Sequence, residues 1–179
     1  MKLNKFVVAL GLGVTLAASA VSAATDAGHG TVTFTGSIID APCSIAPDSS
    51  NQIIPLGQIS NVSLKANGNL GTSVPVPFSI KLQQCDSSTL KNVTTTFTGS
   101  ASAADQDLLG ITGTAKGASI AITDGASSLI KLGAPSNAQV LADGDNELRF
   151  TAYLQGDGAS AVITPGSFSA VANWMLAYQ

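Results

Sequence analysis

Two stretches at opposite ends of the chain alternate strictly between apolar and polar positions. From Thr31 onward, Val32, Phe34, Gly36 and Ile38 fall on one side, and Thr31, Thr33, Thr35 and Ser37 on the other. A period of two marks a strand that buries one face. From Phe168 to Gln179 the same pattern places Phe168, Ala170, Ala172, Trp174, Leu176 and Tyr178 together. The sequence stops one residue later with no closing strand. By residue pattern alone, each stretch also reads as an ordinary strand of its own domain.

Between them, short runs rich in Val, Ile, Thr and Phe recur between Gly, Asn, Asp and Ser, and helical periodicity is absent. The pattern predicts a Pro-interrupted edge strand over Gln52 to Ile59, then a polar loop from Ser60 to Gly71. Further strands are expected at Val74–Leu82 and Val93–Phe97, with a small-residue connection from Ala101 to Gly110. A hairpin follows, Ala118–Thr123 returning through Leu129–Leu132 after a turn at Asp124-Gly125. Val140-Leu141 and Glu147–Leu154 flank a turn at Asp143-Gly-Asp-Asn146, and Gly156 to Gly166 reads as a long polar loop.

The first residues change the picture. Lys2 and Lys5 precede an apolar run from Phe6 to Leu16, and Val21-Ser22-Ala23 supplies small residues for cleavage. Residues 1–23 therefore read as an export signal, cut after Ala23 or Ala24. The apolar run is too short to span a bilayer, and no later segment approaches the ~20 apolar residues needed. The remainder is one ordinary domain in size. Losing Lys2 and Lys5 leaves six basic residues against eleven acidic ones, a formal −5, with the bases scattered singly. That disfavours nucleic acid or anionic membrane as a partner.

Export also decides the cysteines. Cys43 and Cys85 are an even pair bound for an oxidising compartment, so a disulfide is the default reading. Two isolated thiols without nearby His ligands do not make a zinc site. Seven or eight short strands, few aromatic residues and one bridge predict an all-β, immunoglobulin-like sandwich.

Candidate chemistry is sparse. His29 is the only histidine and lies between Gly28 and Gly30, where nothing in sequence would orient it as a base. No Gly-x-Ser-x-Gly elbow is present, and both thiols are committed. Asp143-Gly-Asp-Asn-Glu147 does not have calcium-loop spacing and reads as turn chemistry. The expectation is a non-enzyme with no cofactor and no metal site.

Taken together, Gly-Thr-Val-Thr-Phe-Thr-Gly36, Cys43, Pro-Leu-Gly-Gln-Ile59, Cys85 and the terminal Ala-Tyr-Gln179 resemble a fimbrial (pilin) subunit of the chaperone–usher pathway. The likeness is to major subunits of type 1-like rods, in particular mannose-resistant Proteus-type fimbriae, and it spans the mature chain. The resemblance implies an incomplete immunoglobulin-like sandwich lacking its seventh (G) strand, with an N-terminal donor-strand extension. Residues 24–35 would form that extension and 36–179 the pilin domain. Val32, Phe34, Gly36 and Ile38 would fill successive pockets in a neighbouring subunit's groove. Trp174, Leu176, Tyr178 and the Gln179 carboxylate would line the groove edge and contact a chaperone, and Cys43 and Cys85 match the family's bridge. The implied partners are a periplasmic chaperone, an outer-membrane usher, and identical or related pilin subunits. The implied destination is a fimbrium on the bacterial cell surface, reached through the periplasm. The implied function is a structural subunit polymerising by strand donation and supporting adhesion. A minor, adaptor or adhesive subunit of the same fibre is the alternative.

Overall fold

The computed structural model describes residues 28–179, so the expected export signal and its cleavage site lie outside the described residues. The chain divides into an N-terminal unit, Met1–Ile38, and a domain, Ile39–Gln179. In the first unit, residues 28–38 carry no regular structure, and Val32, Phe34 and Ile38 are exposed. The strand expected from Thr31 is therefore absent as a strand. A period of two describes which side chains would share a face, but a strand exists only when its backbone finds a ladder.

The domain is built mainly from strands. In chain order it contains β1 (Ser44–Ile45), a short helix α1 (Pro47–Ser50), α2 (Asn61–Asn69), β2 (Val76–Cys85), β3 (Asn92–Gly99), β4 (Leu109–Gly110) and β5 (Thr112–Gly113). It continues with β6 (Ala118–Asp124), β7 (Gln139–Val140), β8 (Gly144–Gly156), β9 (Phe168–Ser169) and β10 (Ala172–Tyr178). Every named ladder is antiparallel. One sheet runs β1-β2-β8-β6-β4, a second β10-β3-β7, and β5 pairs with β9.

Alternation along the strands builds the core. On β8, Leu148, Phe150, Ala152 and Leu154 are buried, while the residues between them are not. Ile80 and Leu82 of β2 and Val93 and Phe97 of β3 complete the interior. The sheets meet through three aromatic rings. Phe97 of β3 lies edge-on to Phe150 of β8, with centroids 5.2 Å apart, and to Phe78 of β2 at 6.1 Å. Cys43 and Cys85 form the disulfide, with Cα atoms 4.1 Å apart. It fastens the point where the chain enters the domain to the end of β2.

Three expectations are corrected. Gln52 to Ile59 is not a strand: none of its main-chain groups pairs with another main-chain group among the described residues. Pro55 has no N–H to give, and Gly57 turns the chain at φ +76°. Ser60 to Gly71 is not loop throughout, since α2 occupies Asn61–Asn69. The Ser60 hydroxyl caps it by accepting the Val62 N–H at 3.2 Å, and Ala66 to Gly68 leave helical geometry. The hairpin return at Leu129–Leu132 is a single bridge, Thr123 to Leu129, followed by an Ile130 N–H bond to the Ile122 carbonyl. It is too short to count as a strand.

A candidate site: an open apolar trough

The last strand places its residues as the alternation predicts. Phe168, Ala170, Ala172, Trp174, Leu176 and Tyr178 are half-buried and pack on the core, while their neighbours from Ser169 to Gln179 are exposed. β10 pairs with β3 on one side only, from Ala172 opposite Gly99 to Tyr178 opposite Val93. Its other edge has no ladder among the described residues.

Facing that edge is the segment 52–60. Ile54, Leu56 and Ile59 turn partly inward, whereas Ile53 is almost fully exposed at 95%. Between this segment and residues 163–174 lies a trough made of two adjoining hollows. The larger, of about 920 Å³, has Ile120, Leu154 and Ile163 in its lining and reaches Lys116 and Phe168. The smaller, of about 630 Å³, is lined by Phe78, Ile80, Phe97, Ile122 and Ala152 and ends at Trp174. Leu56, Ile120, Ala170 and Val171 belong to both. The core of the domain is thus open along one side.

The physical character of the trough is simple. Its lining is mainly apolar, and both walls carry main-chain groups with no main-chain partner among the described residues: residues 52–59 on one side, the outer edge of β10 on the other. Such an arrangement can accept an extended segment. Side chains of alternate residues would enter the hollows while the backbone pairs with a wall.

The charged groups that depart from their usual ionisation lie on the surface, outside the trough. The Lys81 ammonium, 2.8 Å from the Asp48 carboxylate, holds that carboxyl below the usual carboxylate range and is itself raised. Hydrogen bonds from Ser87 and Ser88 likewise lower Asp143 and Asp86. Asp143 thus takes part in turn chemistry, accepting from both the N–H and the hydroxyl of Ser87. No cluster of three His, Cys, Asp or Glu residues able to hold a metal occurs among the described residues. None of their helices is long and apolar enough to cross a membrane.

The residues singled out in the sequence separate in space. Trp174 lines the trough, while Leu176 and Tyr178 continue the same face beyond its lining. The Gln179 main-chain oxygen accepts from the N–H groups of Lys91 at 2.8 Å and Asn92 at 2.9 Å, securing the end of β10 to β3. Val32, Phe34, Gly36 and Ile38 belong to the N-terminal unit and are exposed. The far wall at 52–59 was not read as part of a site. Its signal is the pair Ile54 and Leu56 beside Pro55 and Gly57, apolar residues set in a segment that cannot complete a ladder.

Comparison with known proteins adds an independent line. The family described as fimbrial protein matches residues 32–179. The chain is 64% identical to the Fimbria A protein of Serratia marcescens, over the whole of both chains. It is 52% identical to the major MR/P fimbria protein of Proteus mirabilis, again over all of both. Among solved structures, it superposes on a subunit of a chaperone–usher pilus whose structure reveals the basis of rod uncoiling. That match has a TM-score of 0.75 and 35% identity, covering 86% of this chain and 97% of that one. The P pilus rod subunit PapA gives a TM-score of 0.68 at 35% identity, covering 78% of this chain and all of that one.

Proposed function

The chain belongs to the fimbrial protein family, and from that premise we propose that its open trough is where the N-terminal strand of the next copy docks. The protein is a structural subunit of a fimbria, not an enzyme, and its fold is the incomplete immunoglobulin-like sandwich of chaperone–usher pilins. In our reading, Val32, Phe34, Gly36 and Ile38 of one subunit enter the hollows of another. The donated backbone adds a strand beside β10 and opposite residues 52–59. The observation that carries this is the complementarity within one sequence. An exposed segment with apolar residues at every second position accompanies an apolar trough with unpaired main-chain walls.

The energetics favour such a join. Moving Val32, Phe34 and Ile38 from water into the trough contributes ~1.5–3 kcal/mol each. Ladder hydrogen bonds add ~0.5–1.5 kcal/mol apiece. Dissociation would reopen a domain core to water, which makes the joined state slow to leave. Before assembly the trough needs a temporary occupant, and a periplasmic chaperone lending a strand is the partner this reading assigns, with an outer-membrane usher as the place of exchange. Trp174, Leu176, Tyr178 and Gln179 would meet that chaperone. Cleavage of residues 1–23 and passage through the periplasm precede assembly into the surface fimbria, in which the chain serves as the major rod subunit and supports adhesion.

The test is a denaturing gel run without heating on exported protein, with chaperone and usher supplied. Intact chain should give a ladder that collapses to monomer on boiling. Deletion of residues 24–35, or Phe34→Asp alone, should remove it. Equal ladders from intact and deleted chains, or monomer from both, would refute strand donation.

A further inference from the structure

The ends of the domain differ in charge. β8 runs its length, 13 residues or about 40 Å. At its start lie Asp143 and Asp145, and beside them Asp86, whose N–H donates to the Pro42 carbonyl at the point where the chain enters the domain. Asp40 is just upstream, and all four carboxylates are exposed. Lys91 is the nearby base, its main chain bonded to Gln179 and Leu141.

At the far end of β8, Gly156 pairs with Ala118, and Lys116 just before it bridges to Thr164. The α2 helix packs here too. The Gly156 N–H donates to the Gly71 carbonyl, the Gly71 N–H to the Leu64 carbonyl, and the Asn69 side-chain amide to the Ala161 carbonyl at 2.9 Å. Lys65 and Lys116 are exposed and make no ion pair among the described residues. Of the acids near this end, Asp157 is half-buried and accepts the Ser119 hydroxyl, while exposed Asp105 lies beyond Ser102, whose hydroxyl accepts from that of Ser119. Val62 and Val162 stand 74% and 79% exposed beside these lysines. Their neighbours Asn61, Leu64, Ile163 and Lys116 itself line the large hollow, so this rim is continuous with the trough mouth.

Chain length then decides what covers the rim. All ladders here are antiparallel, and that pairing is the stronger one. A strand laid antiparallel to β10 leaves the trough beside residues 163–169 with its Ile38 end. Only Ile39 to Pro42 separate that end from the disulfide-anchored entry of the donor's own domain, a reach of at most about 18 Å from Ile38 to Cys43. The donor's carboxylate-rich end must therefore land on the rim. A parallel strand would leave at the Tyr178 end and set carboxylates against carboxylates.

We propose that consecutive copies also touch head to tail outside the trough, with the end of the incoming copy that carries Asp40, Asp86 and Asp143 seated on Val62, Lys65, Lys116 and Val162 of the receiving copy. This rests on the strand-donation reading above. The charge pair orients the strand on approach and resists the opposite direction of insertion, as like charges at an interface are strongly selected against.

The experiment uses fibres of the full chain treated with a carbodiimide, which joins a lysine amine to a carboxylate in contact as an amide, and then boiled. Wild-type fibres should keep a ladder through boiling. In Lys65→Glu fibres the ladder on an unheated gel should remain, because Lys65 lies outside the lining of the trough, while boil-resistant pairs fall several-fold. Adding Asp86→Lys to that variant should restore them. Wild-type fibres with an intact unheated ladder that boil to monomer after treatment would overturn the proposal, as would cross-links undiminished in the Lys65→Glu variant. Absence of the unheated ladder in wild type would remove strand donation itself, and this contact with it.

Discussion

Trp174 of β10 stands directly opposite Phe97 of β3 in the antiparallel register. Phe97 is almost wholly buried and touches Phe78 and Phe150, whereas Trp174 remains half-exposed at the end of the trough. The one tryptophan of the chain therefore reports on the trough, with the core fixed behind it. Adding a peptide of residues 24–39 to the full-length subunit should shift Trp174 emission to the blue and raise it. The same peptide with Phe34→Asp should leave emission unchanged. A blue shift from both would mean that the trough takes up apolar chain without regard to pattern.

Gly36 lies between Phe34 and Ile38 on the apolar side of the donor segment. In the proposed complex its lack of a side chain lets the strand lie close where the wall projects. Gly36→Leu should slow polymer formation and weaken the ladder on unheated gels, because an overfilled site costs ~1–3 kcal/mol. Gly36→Ala should be milder. A Leu variant that assembles as fast as wild type would remove the close-fit role from this position.

Truncating Phe97 to Ala tests the floor rather than the edge. Phe97 is 3% exposed and joins the two sheets through its ring contacts. Losing it should cost ~3–5 kcal/mol and lower the denaturation midpoint of assembled fibres. Met175, on the neighbouring strand β10, points outward and is 63% exposed, so Met175→Ala is the control. It should change the midpoint little.

The sequence made the strands legible where a single face is buried. Phe168 to Tyr178 alternates, and the structure buries those residues in turn because β10 has core on one side and solvent on the other. Central strand β8 was legible for the same reason, whereas β6, buried along its whole length, was legible only from its short apolar run and the Asp124-Gly125 turn that ends it. What period could not reveal is whether a backbone finds a partner. Gln52 to Ile59 and Thr31 to Ile38 both carry strand-like patterns, and neither has a ladder in the domain. The α2 helix was missed because its only large apolar residues are Val62 and Leu64, too little to show a face, yet Ser60 as its cap was there to be read. Half of the trough was likewise visible as the last strand. Its other wall was hidden in a segment whose Pro55 and Gly57 made it look merely like a poor strand.

Removing the disulfide acts on both the fold and the root of the donor segment. Cys43 and Cys85 are 42 residues apart, and Cys43 is 3% exposed. Cys43→Ala/Cys85→Ala should cost ~2–5 kcal/mol, chiefly through a freer unfolded chain. Reductant should leave the midpoint of that variant unchanged while lowering that of wild type after unfolding. Equal midpoints for the two proteins under oxidising conditions would show that the bridge adds nothing to stability.

Tyr178 carries an alkaline sensitivity. Its phenol oxygen is buried without a hydrogen-bond partner, and burial pushes its ionisation above the ordinary value of 10.0. An unfolded chain would release this proton first as pH rises, so the unfolded state is favoured once pH passes about 10. The contribution is whole below that value and fades as pH climbs through the raised folded one. Tyr178→Phe removes both the late ionisation and the unpaired oxygen, at nearly the same shape. It should raise stability near neutral pH by about 1 kcal/mol, since a buried hydroxyl without a partner costs its desolvation. It should also flatten the loss of stability as pH rises above about 10. Urea midpoints at pH 8 and across that rise, for both proteins, decide the matter. A phenylalanine variant less stable at pH 8 would mean that the hydroxyl has a partner in solution, and that Tyr178 holds the end of β10 by more than its ring.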